Sequence, residues 1–505
     1  METNPNRFVR SAGVLLPVSS LPSPYGIGSF GAAARRWVDF LLEAGQSYWQ
    51  ILPLGPTGYG DSPYQSLSAF AGNPYFVDLD TLRDEGLLEQ GDYAGCRWGD
   101  SDRRVDYSAV YRYRETVLRK AYARFSDGAT LDGYLEETPW LRDYCTYMAI
   151  KAAQERRSWI DWDEPLRLRR PDALARIQEA LAEDIRYHAF VQYQFQRQWS
   201  ALRAYANAGG LRIIGDIPIY VAMDSADVWA NPGLFQLDAS ARPTEVAGCP
   251  PDSFSCDGQL WGNPLYDWQA MADTGYRWWI ERLGSSFAWY DVLRIDHFRG
   301  LESYFAIPWG AESAAGGQWR PGPGMDLVDA LRRAIPEACI IAEDLGFLTD
   351  GVRRLLQDSG CPGMKLLQFA FDTREEGDYS PYAYPDHTVV YPGTHDNDTV
   401  RGWSKTAPRD AVRHAMRYTG IRRKSELPRA MVRLALQSHA NLAIIPMQDW
   451  LGLGSEARIN TPATVDGRNW RWRLGGNAAD GRLAAVIAEM TALYGRSRHG
   501  DAAAG

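Results

Sequence analysis

The stretch VLRIDHFRG, residues 292–300, runs from branched apolar residues into a carboxylate, Asp296. Apolar runs of this length without polar alternation are typical of strands buried on both faces, as in a parallel sheet. The same design recurs in three other stretches: RIIGDIPIYV (212–221), CIIAEDLG (339–346) and TVVYPGTHDN (388–397). Closed parallel barrels build their active sites at the carboxyl ends of the strands, where these acids should lie. The pattern therefore predicts one cleft that holds four acids: Asp216, Asp296, Glu343 and Asp396.

Four further runs match the same pattern of a buried strand. They are VLLPVSSL (14–21), YWQILPLG (48–55), MKLLQFAF (364–371) and LAIIPMQDW (442–450). Amphipathic helical patterns lie between most of the eight runs, for example AAARRWVDFLLEAG at residues 32–45. Eight alternations of strand and helix predict an α/β fold, a (β/α)8 TIM barrel, with a doubly wound open sheet as the alternative.

The chain has 505 residues, whereas a barrel of this kind needs only about 250. Two insertions account for much of the difference: a helical one at 57–189, after the second strand, and one at 222–270, after the third. Segments that follow a strand's carboxyl end rise over the mouth of the barrel. We therefore expect one catalytic domain, 1–505, with a helical subdomain and a lid over its C-terminal face. The 55 residues after Trp450 are too few for a C-terminal β-sandwich.

Composition excludes several classes of partner. A formal charge of −9, with acidic and basic residues intermixed, argues against binding to nucleic acid or to an anionic membrane. No long apolar run and no apolar signal segment is present, which predicts a cytoplasmic protein. Six cysteines without a CxxC pair and seven histidines without ligand spacing predict free thiols and no metal site. The many tryptophans and tyrosines suit sugar stacking, although packing explains them equally well.

The residues around the acids indicate what each could do. Arg294 and Asp296 are two apart on a strand, so they share a face, and the guanidinium would hold Asp296 ionised as a nucleophile requires. A buried ion pair without chemistry is the alternative. Apolar neighbours would raise the pKa of Glu343 and make it a proton donor. The pair His-Asp at 395–396 could bind sugar hydroxyls, or be a surface histidine beside a helix cap. Cleavage of a glycosidic bond needs one carboxylic acid with a raised pKa beside one ionised carboxylate.

Together these motifs resemble those of the α-amylase clan. Longer strings are similar to its amylomaltase branch, the 4-α-glucanotransferases of glycoside hydrolase family 77. These strings are LPLGPTGYGDSPYQSLSAFAGNPY (52–75), PPDSFSCDGQLWGNPLY (250–266), PGMKLLQFAFD (362–372) and GSEARINTPAT (454–464). The resemblance extends from about residue 13 to about residue 475.

The resemblance implies roles for three acids: Asp296 as nucleophile, Glu343 as general acid and base, and Asp396 as stabiliser of the distorted donor sugar. It also implies sugar contacts from three further polar side chains: Asp216, Arg294 and His395.

Aromatic contacts are implied as well. Tyr64 would stack on the sugar being transferred, and Trp261 with Phe254 would line the acceptor side. Tyr59 and Tyr111 resemble the rings of an accessory glucan site. The family pattern has no organic cofactor and no catalytic metal.

The activity implied is transfer of a segment of an α-1,4-glucan to the 4-hydroxyl of a glucose or malto-oligosaccharide acceptor, with retention at the anomeric carbon. An α-1,4-glucan hydrolase of the same clan is the alternative. A glucan-binding protein without catalysis ranks last, because all three catalytic carboxylates are present.

Overall fold

The computed structural model describes residues 6–251, 258–346, 348–372, 380–465 and 467–498. Twelve strands lie in this part of the chain: β1 (Ser11–Leu15), β2 (Tyr48–Gln50), β3 (Arg212–Pro218), β4 (Glu245–Cys249), β5 (Gln259–Pro264), β6 (Val292–Asp296), β7 (Ser303–Pro308), β8 (Gln318–Pro321), β9 (Ile340–Ala342), β10 (Gly363–Leu366), β11 (Thr388–Tyr391) and β12 (Leu442–Pro446).

Eight of these strands form one parallel sheet in the order β10-β11-β12-β1-β2-β3-β6-β9. The backbone N–H of Ala342, on β9, donates to the carbonyl of Pro362, just before β10, at 3.0 Å. This bond joins the two ends of the sheet, so the sheet closes on itself as a barrel does. The predicted (β/α)8 barrel is therefore confirmed, and the open sheet is excluded.

Each predicted run overlaps one barrel strand, but the bounds differ: β1 begins three residues before its run, at Ser11, β10 begins one residue before its run, at Gly363, and all the strands are shorter than the runs. The run at 212–221 leaves the sheet after Pro218, and the run at 388–397 leaves it after Tyr391. Proline has no N–H for a ladder, and in the second run a Pro-Gly pair follows the strand. His395 and Asp396 thus lie on a loop beyond β11.

One side of every barrel strand faces the interior. Ile214 on β3 and Val292 on β6 belong to an apolar cluster that fills the barrel with residues from all eight strands. Side chains two apart share a face of a strand, so Asp216, Arg294 and Asp296 continue the same inward rows toward the carboxyl ends. The barrel interior is therefore apolar along most of its length and charged at the carboxyl ends of the strands.

Nineteen helices lie among the described residues: α1 (Ala32–Glu43), α2 (Leu79–Asp84), α3 (Tyr107–Arg124), α4 (Gly128–Glu137), α5 (Leu141–Ala153), α6 (Glu164–Arg167), α7 (Pro171–Ala180), α8 (Ala182–Ala208), α9 (Ala226–Ala230), α10 (Trp268–Asp273), α11 (Arg277–Trp289), α12 (Met325–Ala334), α13 (Asp350–Ser359), α14 (Leu367–Ala370), α15 (Val400–Thr406), α16 (Arg409–Thr419), α17 (Leu427–Gln437), α18 (Met447–Trp450) and α19 (Gly481–Leu493). Each of them is too short or too polar to cross a membrane.

Helices α2 to α8 lie between β2 and β3, and α5 is tied to the segment that follows β3. Lys151 Nζ and the Tyr147 hydroxyl, both on α5, donate to the carboxylate of Asp224 at 2.5 and 2.7 Å. The indole N–H of Trp159 donates to the carbonyl of Met223 at 2.6 Å. These bonds hold the long insertion against the top of the barrel.

A second, antiparallel sheet was not predicted. Its order is β5-β4-β7-β8, so it combines two strands from the 222–270 insertion with two from the loop after β6. Strand β8 is exposed, and β5 is partly exposed and contains Gly and Pro. The buried strands β4 and β7 hold apolar runs of at most four residues, so none of the four has the long apolar run of a barrel strand.

Substitution of Gly215 tests how tightly β3 is packed next to Asp216. A Cβ at Gly215 would lie 2.1 Å from the ring of Tyr290, which is buried. We expect Gly215→Ala to lower the free energy of unfolding by about 1 to 3 kcal/mol, because overpacking displaces a buried ring. Thermal and urea unfolding measure the loss.

Gly284→Ala is the matched control. Gly284 is exposed on α11, and a Cβ there would meet no atom within 4 Å. Alanine is the better helix former by about 1 kcal/mol, so this variant should be as stable as the parent or more so. Equal stability of the two variants would contradict the packing argument.

Candidate active site

Arg294 lies at the centre of the site and pairs with two carboxylates. Its Nη1 donates to both oxygens of Asp216, at 2.7 and 2.8 Å, and its Nη2 donates to Oδ1 of Asp296 at 2.8 Å. Burial alone would lower the pKa of Arg294, but the two carboxylates outweigh it and raise the pKa well above its ordinary value. The guanidinium therefore stays charged inside the barrel.

Asp216 is completely buried. Its oxygens accept from Arg294 and from the hydroxyl of Tyr64, at 2.7 Å. The structure thus places Asp216 behind these two side chains, where it orients them and presents no open surface to a ligand.

Asp296 is more accessible, with 29% of its side chain exposed. Burial raises the pKa of Asp296 above that of a free aspartic acid, and the charge of Arg294 opposes this rise. One oxygen is held by Arg294. Among the described residues, no donor contacts the other oxygen, which leaves it available to an electrophile.

Glu343 follows β9 and is buried. Its Oε2 accepts from the backbone N–H of His297 and its Oε1 from that of Leu345, both at 2.8 Å. Burial raises the pKa of Glu343 to about 8, the negative charge of Asp296 adds to the rise, and Arg294 with the two N–H groups opposes it. Glu343 therefore holds a proton at neutral pH. The rise in its pKa has the direction that its apolar neighbours predict.

Backbone bonds between β6 and β9 bring these two acids together. The N–H of Glu343 donates to the carbonyl of Ile295, and the N–H of Phe298 donates to the carbonyl of Glu343, both at 3.1 Å. Asp296 and Glu343 thus sit on adjacent strand ends, joined through the N–H of His297. An acid that keeps its proton beside an acid paired with arginine is the combination that glycosidic cleavage needs.

Asp396 is held on its loop by two residues that were not predicted, Asn460 and Arg458, and lies beside His395, which was. Asn460 Nδ2 donates to Oδ1 of Asp396 at 2.6 Å, and Arg458 Nη2 donates to the backbone carbonyl of Asp396 at 2.6 Å. Nε2 of His395 lies 3.3 Å from Oδ2. The string GSEARINTPAT contains Asn460 and Arg458, but no periodicity or charge pattern pointed to them.

Aromatic rings line the same side of the site. Tyr64 stacks on His395, with ring centres 5.2 Å apart and planes at 10°, and both rings approach Trp470, at 5.8 and 6.0 Å. His395 is buried and Tyr64 is half-buried. Trp470 was not predicted, because a single tryptophan in a loop carries no pattern.

Trp261, on β5, approaches the site from the second sheet. Its half-buried indole meets the imidazole of His297 edge to face, with ring centres 4.8 Å apart. The structure thus brings Trp261 to the residue that contacts Glu343.

Three further aromatic residues were predicted to bind sugar: Phe254, Tyr59 and Tyr111. Phe254 and the side chain of Tyr59 lie outside the described residues. Tyr111, on α3, is half-buried, donates its hydroxyl to Asp61 and packs against Tyr75, at 5.5 Å.

Comparison with known proteins points to one family. A family profile described as 4-alpha-glucanotransferase, glycoside hydrolase family 77, matches residues 16–477. A 4-alpha-glucanotransferase of Streptococcus pneumoniae is 48% identical over 493 residues, which cover 96% of this chain and 97% of that protein. One of Thermus thermophilus is 47% identical over 479 residues, 92% and 95% of the two chains. The solved amylomaltase from Streptococcus agalactiae in complex with acarbose superposes with a TM-score of 0.94 at 40% identity, over 97% of this chain and all of that one.

These similarities cover nearly the whole chain, and they confirm the family that the motifs predicted. They favour glucan transfer over the hydrolase alternative, since the relatives share the name of the transferase. The chain belongs to the 4-alpha-glucanotransferases, glycoside hydrolase family 77, and is an enzyme of that activity.

Proposed function

We propose that Asp296, Glu343 and Asp396 carry the transfer, with malto-oligosaccharides and longer α-1,4-glucans as both donor and acceptor. The observation that supports this most directly is the contrast between two neighbouring acids. Glu343 has a pKa of about 8, whereas Asp296 is paired with Arg294 at 2.8 Å. Glu343 can give a proton while Asp296 attacks the anomeric carbon.

In the first half of the reaction, Glu343 gives its proton to the glycosidic oxygen of the departing segment. A carboxylate oxygen of Asp296 attacks the anomeric carbon, the bond to the departing oxygen breaks, and an ester forms. We expect the two carboxyl groups to lie about 5 to 5.5 Å apart, the separation of retaining enzymes.

In the second half, Glu343 acts as a base. Once Asp296 is an ester it carries no charge, so one cause of the high pKa of Glu343 disappears. The N–H groups of His297 and Leu345 then stabilise the carboxylate. Glu343 takes the proton of the acceptor's 4-hydroxyl, whose oxygen attacks the anomeric carbon and releases Asp296.

The donor sugar lies against Asp396, His395 and Tyr64 in this proposal. Asn460 keeps the carboxylate of Asp396 oriented, and the stacked rings of Tyr64 and His395 form a rigid wall for a sugar face. Arg294 acts on the sugar through Asp296, which it orients. Asp216 is a positioning residue that orients Arg294 and Tyr64.

The acceptor lies on the side of Trp261, with Phe254 beside it, under a lid formed by residues 222–270. The lid is joined to the donor side, because Gln65 Nε2, next to Tyr64, donates to Oδ1 of Asn263 on β5 at 3.1 Å. A lid held in this way excludes water while the ester exists, which favours transfer over hydrolysis.

The helical subdomain, residues 57–189, forms the other wall of the cleft. Tyr111 on its α3 is partly open to solvent, and with Tyr59 it would hold a second glucan segment.

Glu343→Gln removes both the proton donor and the base. With maltotriose we expect turnover to fall by about 10²- to 10⁴-fold. An α-maltosyl fluoride needs no acid to leave, so its first step should proceed and the ester should accumulate on Asp296. Mass spectrometry of peptic fragments measures the adduct. Asp296→Asn is the control and should carry none; an adduct on any other side chain would contradict the assignment.

The pH profile follows from the raised pKa of Glu343. Donor cleavage needs the protonated form, so kcat/KM for maltotriose should fall about tenfold per unit above pH about 8. The same profile with α-maltosyl fluoride should lack this fall, because no proton is required. A fall of equal position and slope with both donors would rule out Glu343 as its source.

Trp261→Ala tests the lid. Loss of the ring should raise the KM for the acceptor by about tenfold. It should also raise the share of hydrolysis, seen as a gain in reducing ends during incubation with maltotriose. Trp309→Ala removes an exposed tryptophan just after β7 and serves as the control. If both variants keep the parent's ratio of transfer to hydrolysis, Trp261 does not line the acceptor side.

A further inference from the structure

His297 has an unusual backbone conformation at a central position. It follows Asp296 directly, and its φ of 54° and ψ of 45° lie in the left-handed region. Few residues other than glycine adopt this region, because a Cβ makes it energetically unfavourable. Such a conformation persists only where the surrounding structure holds it, so it is a candidate functional feature.

The conformation lets two successive N–H groups meet the same residue. In an extended strand successive N–H groups point to opposite sides, whereas at helical angles of either hand they point the same way. Here the N–H of His297 donates to Oε2 of Glu343 at 2.8 Å, and the N–H of Phe298 donates to the carbonyl of Glu343 at 3.1 Å. The turn at His297 thus fixes both the backbone and the carboxyl group of Glu343.

The imidazole of His297 makes a separate contact. It meets the indole of Trp261 edge to face at 4.8 Å, and on another side it covers Gly300, where a Cβ would lie 3.1 Å from Cδ2 of the imidazole. Burial lowers the pKa of the ring to about 3, and the charge of Arg299 adds to this, so the ring is neutral and has no part in proton transfer. The ring is a spacer between β5 and the turn.

We propose that His297 is a positioning residue with two separable tasks: its backbone N–H orients and tunes the carboxyl group of Glu343, and its ring ties that group to the lid strand through Trp261. The inference rests on the proposed roles of Glu343 and Trp261. It adds a direct physical link between the proton donor and the acceptor side.

Other charged groups also act on Glu343. The charge of Asp296 raises the pKa of Glu343, and the charge of Arg294, also on β6, lowers it. The charge of Glu343 in turn acts on Arg299, on the turn Phe298–Leu301. The substitutions at position 297 leave these groups in place, so a change in the titration of Glu343 reports on the N–H bond.

His297→Asn and His297→Val separate the two tasks, because both remove the ring but only asparagine tolerates the left-handed region. Both variants should raise the KM for the acceptor by about tenfold and increase the share of hydrolysis. Valine alone should move the alkaline limb of kcat/KM for maltotriose upward, by about one pH unit, because loss of an N–H bond to the carboxylate disfavours its charged form.

If the valine variant fails to fold, His297→Gly and His297→Ala give the same contrast, with glycine in the role of asparagine. If the alkaline limb of kcat/KM lies at the same pH in the parent and in both variants of a pair, the N–H of His297 does not tune the carboxyl group of Glu343. An unchanged ratio of transfer to hydrolysis in both would overturn the link to the lid. Failure of the proposed function itself is distinguishable, since it would appear in the parent as an alkaline limb that persists with α-maltosyl fluoride.

Discussion

The site depends on one buried cation. Arg294 lies inside the barrel, where an unpaired charge would be very costly, and it is matched by Asp216 on one side and Asp296 on the other. Asp216 has no access to solvent, so its contribution is to neutralise and orient the guanidinium. The second half of the guanidinium then fixes Asp296 at the mouth of the barrel. Tyr64, which donates to Asp216, is placed by the same pair.

Around this ion pair, the two acids that we propose to react, Asp296 and Glu343, have different surroundings. Burial raises the pKa of Glu343 to about 8 and the charge of Asp296 adds to the rise, whereas the charge of Arg294 opposes the rise that burial causes in the pKa of Asp296. Each acid influences the other, and formation of an ester on Asp296 would remove the charge that holds the proton on Glu343. The pairing of β6 with β9 brings the two acids together, and the left-handed turn at His297, directly after Asp296, aims a backbone N–H at the carboxyl group of Glu343.

Much of the fold was predictable because barrel strands are buried on both faces, and local sequence records this as continuous apolar runs. The inward direction of Asp216, Arg294 and Asp296 follows from the two-residue period of a strand. The antiparallel sheet was missed, since β4, β5 and β8 contain Gly or Pro within four to six residues and the apolar run of β7 is only four residues long. Asn460 and Trp470 were missed as well, because nothing local distinguishes a loop asparagine or tryptophan that contacts a residue far away in the chain. The catalytic and sugar-binding assignments and the bounds of the two insertions stay predictions.

The sequence by itself determined the barrel and which carboxylates lie at its strand ends, because strand burial and side-chain alternation are properties of neighbouring residues. Tertiary structure alone decided the surroundings of each carboxylate. The pKa of Glu343 depends on burial and on Asp296 from another strand, Asp216 is covered by Arg294 and Tyr64, and Asp396 is oriented by a loop 64 residues further on. These are electrostatic and hydrogen-bonding effects that act through space, and they exist only once the chain has closed the barrel.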